Sequence, residues 1–174
     1  AEKLSLNLQE VSEAQFFLPY ITGERTPHND PHVRGSFHSL KTATNVTALQ
    51  YAVIEGVSFG ILDGVNSIKF VNNNFSDIFV VGGGSRSSFW ITLLATMLNK
   101  KLSLCDQSEF GAALGVARLA MFVDNDISDK SSIINKIKIK NTFNPNEKMF
   151  AILEKRYQLW KDIYISNKNL YYIL

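Results

Sequence analysis

The stretch VVGGGSRSSFW, Val80–Trp90, places three consecutive glycines between a short apolar run and an amphipathic run. The apolar run has the length of a buried strand, and the amphipathic run has the spacing of a helix. Glycine reaches positive φ and lets a ligand approach the backbone, while free amides at a helix start favour anionic or polar ligand groups. The turn therefore fits a nucleotide-binding site, and it fits a tight strand-to-helix connection equally well.

The glycine turn departs from the two best-known phosphate-binding motifs. Arg86 and Ser87 stand where the P-loop pattern G-x-x-x-x-G-K-[ST] and the dinucleotide pattern G-x-G-x-x-G require other residues. Ser85, Ser87 and Ser88 do not form the nucleophile motif G-x-S-x-G, and serines at the start of a helix are typical of caps. The turn therefore predicts neither a P-loop nor a Rossmann site.

Helices and strands are predicted to alternate on both sides of the turn. A long helix is predicted over about 46–71, with Asn45 or Thr44 as its cap, because these residues recur every three or four positions: Val46, Leu49, Val53, Val57, Ile61, Val65 and Ile68. The next segments are a strand over 77–82, a helix over about 87–99, a strand over 102–105 and a helix over about 110–123 that Ser108 caps. This order predicts α/β architecture with parallel strands and right-handed crossovers.

Two strands do not make a stable sheet by themselves. Further strands come either from the lead-in segment 4–20 or from a region of the protein outside this chain. Gly56, Gly60 and Gly64 lie at i, i+4 and i+8 of the long helix, and each costs about 1 kcal/mol of helix propensity relative to alanine. Their shared face predicts close approach of a strand or helix, and a ligand-facing role is the second interpretation.

Composition excludes several classes of function. The 174 residues carry a formal net charge of +2 and their Lys and Arg are scattered, so no nucleic-acid partner is expected. Glu55, Asp63 and several glycines interrupt the longest apolar stretches, so none approaches the roughly 20 apolar residues of a membrane span. The single Cys105 excludes an intrachain disulfide and every multi-cysteine zinc pattern. A reducing compartment, and hence a cytoplasmic location, is expected.

The segment TGERTPHNDPHVRGS, residues 22–36, is predicted to be an irregular loop because prolines and glycines interrupt it. Ordered loops of this length are often functional. No second cluster completes a metal shell around His28, His32 and His38, so we expect solvated histidines and no metal site. The charged residues of the loop are Glu24, Arg25, Asp30 and Arg34. They predict an ion pair that braces the loop, with contact to phosphate or Mg²⁺ as the alternative.

Residues 124–144 are polar and predict a loop that carries one short strand over 137–139. A final helix is predicted over about 146–164. Its large apolar residues share one face, namely Phe150, Leu153, Tyr157, Trp160 and Tyr164. This face predicts docking onto another part of the protein and not a cofactor site.

Three segments together resemble the C-terminal part of the FGGY family of carbohydrate kinases and, within it, that of the xylulose kinases. They are LPYITGERTPHNDPHVRGSF at 18–37, YAVIEGVSFGILDG at 51–64 taken with VVGGGSRSSFW at 80–90, and FGAALGVARLA at 110–120. The likeness covers roughly residues 16–123 and continues weakly into the helix at 145–164. Two positions depart from the family pattern, because Ser39 replaces a usual glycine and Ala48 a usual polar or acidic residue.

The resemblance implies a two-domain kinase of the actin-like, ribonuclease-H-like fold that closes on ATP·Mg²⁺ and a sugar. Residues 1–123 would be an incomplete C-terminal, nucleotide-side domain, and residues 124–174 its terminal loop and docking helix. In the family the glycine turn lies beside the nucleotide. The resemblance therefore assigns ATP contacts to Gly82, Gly83, Gly84, Ser85 and Ser87. Gly111 and Gly115 would lie on the family's second connecting helix, at the hinge between the domains.

The resemblance places no catalytic residue in this chain, because the family's aspartate base lies near the start of the second domain. The phosphate loop and most of the sugar pocket also lie elsewhere, so the chain alone is expected to be nearly inactive. The parent enzyme would transfer the ATP γ-phosphate to D-xylulose and give D-xylulose 5-phosphate. Another pentulose or gluconate as substrate, and a non-catalytic ATP-binding module, are the alternatives. The expected partner is the missing N-terminal domain or a second copy of the chain.

Overall fold

A computed structural model describes residues 8–69, 77–106, 111–123 and 138–173. Helices and strands alternate along most of this length, as the hydrophobic spacing predicts. In chain order the elements are α1 Leu8–Glu13, β1 Phe16–Leu18, β2 Ser36–His38, α2 Val46–Lys69, β3 Ile78–Val80, α3 Ser88–Leu98, β4 Leu102–Cys105, α4 Gly111–Val123, β5 Ile139–Phe143 and α5 Glu147–Asn167. Two 3₁₀ turns, Gly83–Arg86 and Lys168–Ile173, follow β3 and α5.

The larger sheet has the strand order β3-β4-β5. β3 and β4 pair in parallel, which confirms the predicted parallel strands, and β5 joins β4 antiparallel. The prediction of a strand over 137–139 is wrong in its bounds, because β5 begins only at Ile139 and extends to Phe143, while residue 137 lies outside the described residues. The exposed polar residues Lys140 and Asn141 show no alternating pattern, so pairing with β4 determines this strand.

The lead-in segment does not extend this sheet. β1 pairs antiparallel with β2, with Phe17 opposite Phe37, and the two strands form a separate sheet. Among the described residues the third strand of the larger sheet therefore comes from β5. Ser39, which follows β2, has a φ of 61°. This left-handed conformation favours glycine over other residues.

α2 runs from Val46 to Lys69, as predicted, and residues 70 and 71 lie outside the described residues. Asn45 is its cap, because the side-chain Oδ1 accepts a hydrogen bond from Ala48 N at 2.9 Å. Thr44 has a different role, since its hydroxyl oxygen accepts a hydrogen bond from Lys41 N at 2.8 Å. Of the two residues predicted as the cap, Asn45 is therefore the one that caps α2.

The buried face of α2 is not formed by the aliphatic residues whose recurrence predicts the helix. Tyr51 and Phe59 are fully buried, whereas Val46 is 70% exposed and Ile68 52% exposed. The ring centroid of Phe59 lies 5.7 Å from that of Trp160 on α5. Aromatic rings fill the space between α2 and α5. The spacing of aliphatic residues within α2 alone does not predict which of its faces packs against these rings.

By length and composition alone, Val46–Ile68 is long and apolar enough to cross a membrane. This corrects the expectation that no stretch of the chain approaches such a length. The structure buries 44% of the apolar window of this helix, and Glu55 within the helix binds a buried arginine. α2 is thus a core helix of the fold described here.

Gly56 brings α2 against β1. A Cβ atom added at Gly56 would overlap the carbonyl oxygen of Phe17, so this contact requires glycine. A Cβ added at Gly60 would lie 3.7 Å from Pro19 Cγ, whereas one added at Gly64 would meet no atom within 4 Å. The predicted close approach of a strand is confirmed at Gly56, and Gly64 faces open space.

α5 packs into the core through the face that the sequence predicts for docking. Asn146 caps the helix, and its Oδ1 accepts a hydrogen bond from Met149 N at 3.2 Å. The buried members of the face are Leu153, Tyr157, Trp160 and Tyr164. Trp160 Nε1 donates a hydrogen bond to Phe17 O at 2.9 Å, which joins α5 to β1.

Arg156 of α5 is buried and connects three segments of the chain. Its guanidinium donates two hydrogen bonds to the Glu55 carboxylate of α2, at 2.7 and 2.6 Å. It also donates hydrogen bonds to the carbonyl oxygens of Ser12, Ala14 and Gln15. Burial raises the pKa of Glu55, and the Arg156 guanidinium opposes that rise. One side chain thereby joins α5 to α2, to the end of α1 and to the segment that follows α1.

Replacement of Arg156 by methionine is expected to lower the free energy of unfolding by about 3–5 kcal/mol, because it leaves the Glu55 carboxylate buried without a cation. Urea denaturation followed by circular dichroism measures this loss. The double variant Glu55→Met/Arg156→Met is the control and should regain part of the stability, since it buries no unpaired charge. A double variant no more stable than Arg156→Met would contradict the assigned role of the ion pair.

Candidate functional site

The glycine turn leaves the carboxyl end of β3 and leads directly into α3. Gly82 has a φ of 91° and a ψ of −178°, a conformation that is essentially restricted to glycine. Ser85 N donates to Gly82 O at 3.1 Å, and Ser87 N donates to Gly84 O at 3.2 Å. The path of the turn is therefore determined by one glycine conformation and by two hydrogen bonds within the turn.

The three glycines of the turn meet different constraints. Gly82 needs its positive φ, and a Cβ added at Gly84 would lie only 2.5 Å from Cζ3 of the Trp90 ring. Gly83 has neither constraint, because its φ is not positive and an added Cβ would meet no atom within 4 Å. Nothing in the described part of the chain requires glycine at position 83. The open space beside this exposed residue is available to a ligand.

Trp90 holds the turn against α2. Its Nε1 donates a hydrogen bond to Ser58 Oγ at 2.8 Å, and Ser58 Oγ donates to Ile54 O at 2.7 Å. Since Ser58 is completely buried, this contact lies in the core. α2 therefore positions the turn through the Trp90 indole ring. This ring lies so close to Gly84 that a side chain at that position would overlap it.

The two serines assigned to the turn by resemblance are both buried. Ser85 is 6% exposed and Ser87 is 8% exposed. Ser87 caps α3, because its Oγ accepts a hydrogen bond from Trp90 N at 3.3 Å, and this confirms the cap that the sequence predicts. Gly83 and Gly84 are exposed, so the turn offers backbone to a ligand at these two residues. The assignment of ATP contacts to residues 82–85 and 87 stays a prediction.

α4 begins beside the turn. A Cβ added at Gly111 would lie 3.4 Å from Val81 Cβ, so the start of the helix contacts the residue that precedes the glycines. A Cβ added at Gly115 would meet no atom within 4 Å. The predicted helix over 110–123 is confirmed from Gly111 onwards, while Phe110 and the expected cap Ser108 lie outside the described residues.

Hydrogen bonds with the backbone brace the irregular loop between β1 and β2. Asp30 Oδ1 accepts from His32 N and Val33 N at 3.0 and 3.1 Å. Its Oδ2 accepts from the Tyr164 hydroxyl of α5 at 3.2 Å. Arg34 donates to backbone carbonyl oxygens of the loop. The prediction of a bracing ion pair is wrong for Glu24, Arg25, Asp30 and Arg34, because backbone groups satisfy the buried carboxylate instead.

Asp30 is a buried anion that fixes the loop to α5. Burial raises the pKa of its carboxyl group, but hydrogen bonds from His32 N, Val33 N and the Tyr164 hydroxyl outweigh this effect and hold the pKa below its usual value. The carboxyl group is therefore ionised at neutral pH and occupied by donors of the fold.

His28 contradicts the expectation of solvated histidines. Its Nε2 lies 3.0 Å from Asp63 Oδ2, and its ring stacks on Tyr164 with centroids 4.0 Å apart. The Tyr157 hydroxyl donates to the other oxygen of Asp63. Burial raises the pKa of Asp63, and the contacts with His28 and Tyr157 lower it to a net value below the usual one. α5 covers this part of the loop, whereas His32 is exposed.

The carboxylates near the loop are occupied by the fold and not grouped for a metal. Within the described ranges, no group of three or more His, Cys, Asp and Glu residues could hold a metal ion. His38 Nε2 lies 2.7 Å from Ser36 Oγ, and burial lowers the pKa of His38. The loop is thus a structural element that ties β1 and β2 to α2 and α5.

Sequence reasoning missed Glu55, Asp63 and Arg156 as the polar residues that support the site. A signal was present, because two carboxylates within an otherwise apolar helix must find partners when the helix is buried. Glu55 pairs with Arg156 and Asp63 binds Tyr157, both on α5, and His28 of the loop contacts the second oxygen of Asp63, so all three partners lie far away in the sequence. Nothing local indicates which residues those partners are.

The sequence profile described as "FGGY family of carbohydrate kinases, C-terminal domain" matches residues 1–123. The chain belongs to the FGGY family of carbohydrate kinases. The matched range includes the β1–β2 sheet, α2, the glycine turn and α4.

Xylulose kinases are among the relatives of this FGGY chain. The xylulose kinase of Escherichia coli strain K12 is 30% identical over 155 residues, which are 89% of this chain and 32% of that protein. The xylulose kinase of Lactococcus lactis is 31% identical over 163 residues, which are 91% of this chain and 32% of that protein. The chain therefore spans about a third of the length of these relatives.

Solved structures of sugar kinases share the fold. A xyloylose (xylulose) kinase from Brucella ovis matches with a TM-score of 0.82 and 34% identity, over 98% of this chain and 34% of that one. A gluconate kinase from Lactobacillus acidophilus matches with a TM-score of 0.72 and 28% identity, over 94% and 35% of the two chains. These likenesses confirm the predicted fold class, part of an actin-like ATPase domain.

Alanine substitutions are expected to separate the roles of the three glycines. Gly82→Ala and Gly84→Ala should each lower the free energy of unfolding by about 1–3 kcal/mol, the first through backbone strain and the second through overlap with Trp90. Gly83→Ala should change it by less than about 0.5 kcal/mol, because its Cβ has room. Thermal unfolding measures all three variants. A loss at Gly83 as large as at its neighbours would show that packing requires that glycine too.

Proposed function

We propose that this chain is the nucleotide-side part of a sugar kinase and that its glycine turn contacts ATP. The observation that carries the proposal is that no described residue requires glycine at position 83, where an added Cβ would meet none of their atoms within 4 Å. A ligand that lies against the backbone explains why a side chain is absent there. The amides at the start of α3 favour anionic or polar groups of such a ligand.

The five residues assigned to the nucleotide contribute in different ways under this proposal. Gly82 shapes the turn, and Gly83 and Gly84 present their backbone to the nucleotide. Ser87 caps α3 and so orients the amides of the first helical turn, while Ser85 supports the turn from its buried side. The ATP would therefore contact mainly backbone atoms of the turn. Such a contact depends little on which side chains lie next to the glycines.

The reaction proposed for the parent protein is transfer of the ATP γ-phosphate to D-xylulose, which gives D-xylulose 5-phosphate. Support comes from relatives named xylulose kinase at 30% and 31% identity. The gluconate kinase that matches at 28% identity makes gluconate the second candidate substrate. A non-catalytic ATP-binding module is the candidate from another class.

Mg²⁺ belongs to the proposal only as the ion that accompanies ATP. Mg²⁺ prefers oxygen ligands and is commonly held by phosphate, water and one or two carboxylates. Asp30 of the loop and Asp63 of α2 already accept hydrogen bonds from the fold. Among the residues that the structure describes, no group of acidic or histidine side chains fits a Mg²⁺ site, so we propose that protein ligands for the ion belong to the rest of the parent protein.

The rest of the parent protein is the proposed partner of α4. Its residues Val116, Leu119 and Val123 are 66%, 68% and 78% exposed, and an exposed apolar surface of this kind marks an interaction site. The family description names the matched region a C-terminal domain, so a preceding domain is available to cover it. A cytoplasmic location, where ATP and sugars meet, completes the proposal.

Calorimetric titration with ATP tests the turn. The unmodified chain should bind ATP, and Gly83→Val should bind it about tenfold more weakly or worse, since the branched side chain occupies the space of the ligand. Gly115→Val is the matched control, because that glycine also has open space around it and lies outside the turn. Equal affinity in all three proteins would leave the turn a structural connection only.

A coupled assay of ADP release tests the claim that the catalytic base lies elsewhere. We expect no sugar-dependent release of ADP when the chain is mixed with ATP, Mg²⁺ and D-xylulose or gluconate, because half of a cleft cannot position both substrates. The full-length xylulose kinase of Escherichia coli serves as the positive control. Sugar-dependent turnover by this chain would refute the proposal that it holds only the nucleotide side.

A further inference from the structure

Trp90 contacts both the glycine turn and the core helix. Its Nε1 donates a hydrogen bond to Ser58 Oγ of α2 at 2.8 Å, and its backbone N donates one to Ser87 Oγ at 3.3 Å. A Cβ added at Gly84 would lie 2.5, 3.0 and 3.3 Å from the Cζ3, Cε3 and Cη2 atoms of the indole. The six-membered ring therefore lies directly against the backbone of the turn, while the N–H of the five-membered ring reaches α2.

Ser58 is suited to hold the indole because its own helix orients its hydroxyl group. The hydroxyl donates to Ile54 O at 2.7 Å, which leaves the oxygen lone pairs to accept the hydrogen bond from Trp90. Ser58 is completely buried, so water does not compete for this bond. Since an indole N–H can only donate, a partly buried one that loses its acceptor costs free energy. The bond between the two side chains is therefore expected to persist.

The part of α2 that carries Ser58 is itself fixed by α5. Glu55, three residues before Ser58, accepts two hydrogen bonds from Arg156. The ring of Phe59, the residue after Ser58, lies 5.7 Å from that of Trp160 between centroids. Ser58 thus offers the indole an acceptor whose position two further contacts between the helices determine.

The hydrogen bond from Trp90 differs in reach from the backbone hydrogen bonds of the turn. Those bonds, donated by Ser85 N and Ser87 N, join residues of the turn to one another and so give the turn its shape. The bond from Trp90 to Ser58 spans 32 positions of sequence and joins the turn to α2. It therefore contributes to where the turn lies relative to the core.

A ligand contact made through backbone atoms depends on where the backbone lies. The apparent affinity for a ligand falls in proportion to the fraction of molecules whose site has the binding conformation. An indole released from Ser58 turns its N–H toward water, and its six-membered ring then leaves Gly84. The turn loses the ring that supports it, so a smaller fraction of molecules has the conformation that binds.

We propose that Ser58 is a positioning residue for the nucleotide, because its hydrogen bond keeps the Trp90 indole against Gly84 and so keeps the turn in the geometry that contacts ATP. Ser58 acts only through Trp90, since it is completely buried. This role rests on the ATP contact proposed for the turn. It extends the site to a residue of α2 that lies outside the segment VVGGGSRSSFW.

Calorimetric titration with ATP tests this role in a double-mutant cycle. Ser58→Ala and Trp90→Phe each remove one partner of the hydrogen bond, and each should bind ATP about three- to tenfold more weakly than the unmodified chain. The double variant should bind no more weakly than the weaker single variant, because both changes remove the same interaction. Unchanged affinity in the single variants, or losses that add in the double variant, would overturn the role of Ser58.

Thr96→Ala is the matched control for a general loss of stability. Thr96 is completely buried like Ser58, and its hydroxyl donates to Thr92 O at 2.7 Å and accepts from Asn146 N at 3.1 Å. It lies near the end of α3 that is remote from the turn. Thr96→Ala should lower the melting temperature and leave the ATP affinity unchanged. A loss of affinity as large as in Ser58→Ala would overturn the positioning role.

Nuclear magnetic resonance tests the hydrogen bond without ATP. The chain contains two tryptophans, so its nitrogen–proton spectrum contains two indole signals, and Trp90→Phe identifies that of Trp90. In Ser58→Ala the Trp90 signal should shift and its proton should exchange with solvent about tenfold faster. The signal of Trp160, which donates to Phe17 O, should stay in place.

The two measurements separate the failure of this role from the failure of the ATP contact. An unchanged Trp90 signal in Ser58→Ala would overturn the role of Ser58 and leave the ATP contact standing. A changed Trp90 signal together with no ATP binding by the unmodified chain would refute the ATP contact, and the positioning role with it. A changed signal together with weaker ATP binding in Ser58→Ala is the result that we expect.

Discussion

The buried ion pair between Arg156 and Glu55 is the interaction on which the rest of the structure depends. It joins α5 to α2 across 101 positions of sequence, and the same guanidinium satisfies backbone carbonyl groups between α1 and β1. Removing two charges from water is costly, and this geometry offsets the cost because both partners are fully hydrogen-bonded. Once α5 lies across α2, Trp160 packs on Phe59 and Tyr164 reaches the loop that carries Asp30.

The candidate site inherits its position from the same helix. Glu55 anchors α2 to α5, and Ser58, three residues further along, accepts the hydrogen bond from Trp90 that holds the glycine turn. Gly84 admits the indole ring, Gly82 supplies the backbone conformation, and Gly83 remains open. The core therefore positions the turn through Trp90, and the backbone at Gly83 remains exposed.

α2 buries the polar residues Glu55, Ser58 and Asp63 beside Leu62, while some of its aliphatic residues, such as Val46 and Ile68, are exposed. The buried polar groups are satisfied by Arg156, Trp90, His28 and Tyr157, so the core tolerates them. The described part of the chain does not cover the exposed aliphatic residues Val46, Ile61 and Ile68.

The sequence by itself determined the local elements and the family. Asn45, Ser87 and Asn146 cap helices close to their predicted starts, and the strand Leu102–Cys105 is where its apolar run predicts it, because caps and periodicity depend on neighbouring residues. Only the tertiary structure decided which face of α2 is buried, where β5 begins and which groups satisfy Asp30 and His28. Those outcomes depend on partners in α5 and β4 that lie far away along the chain, and no local pattern specifies such partners.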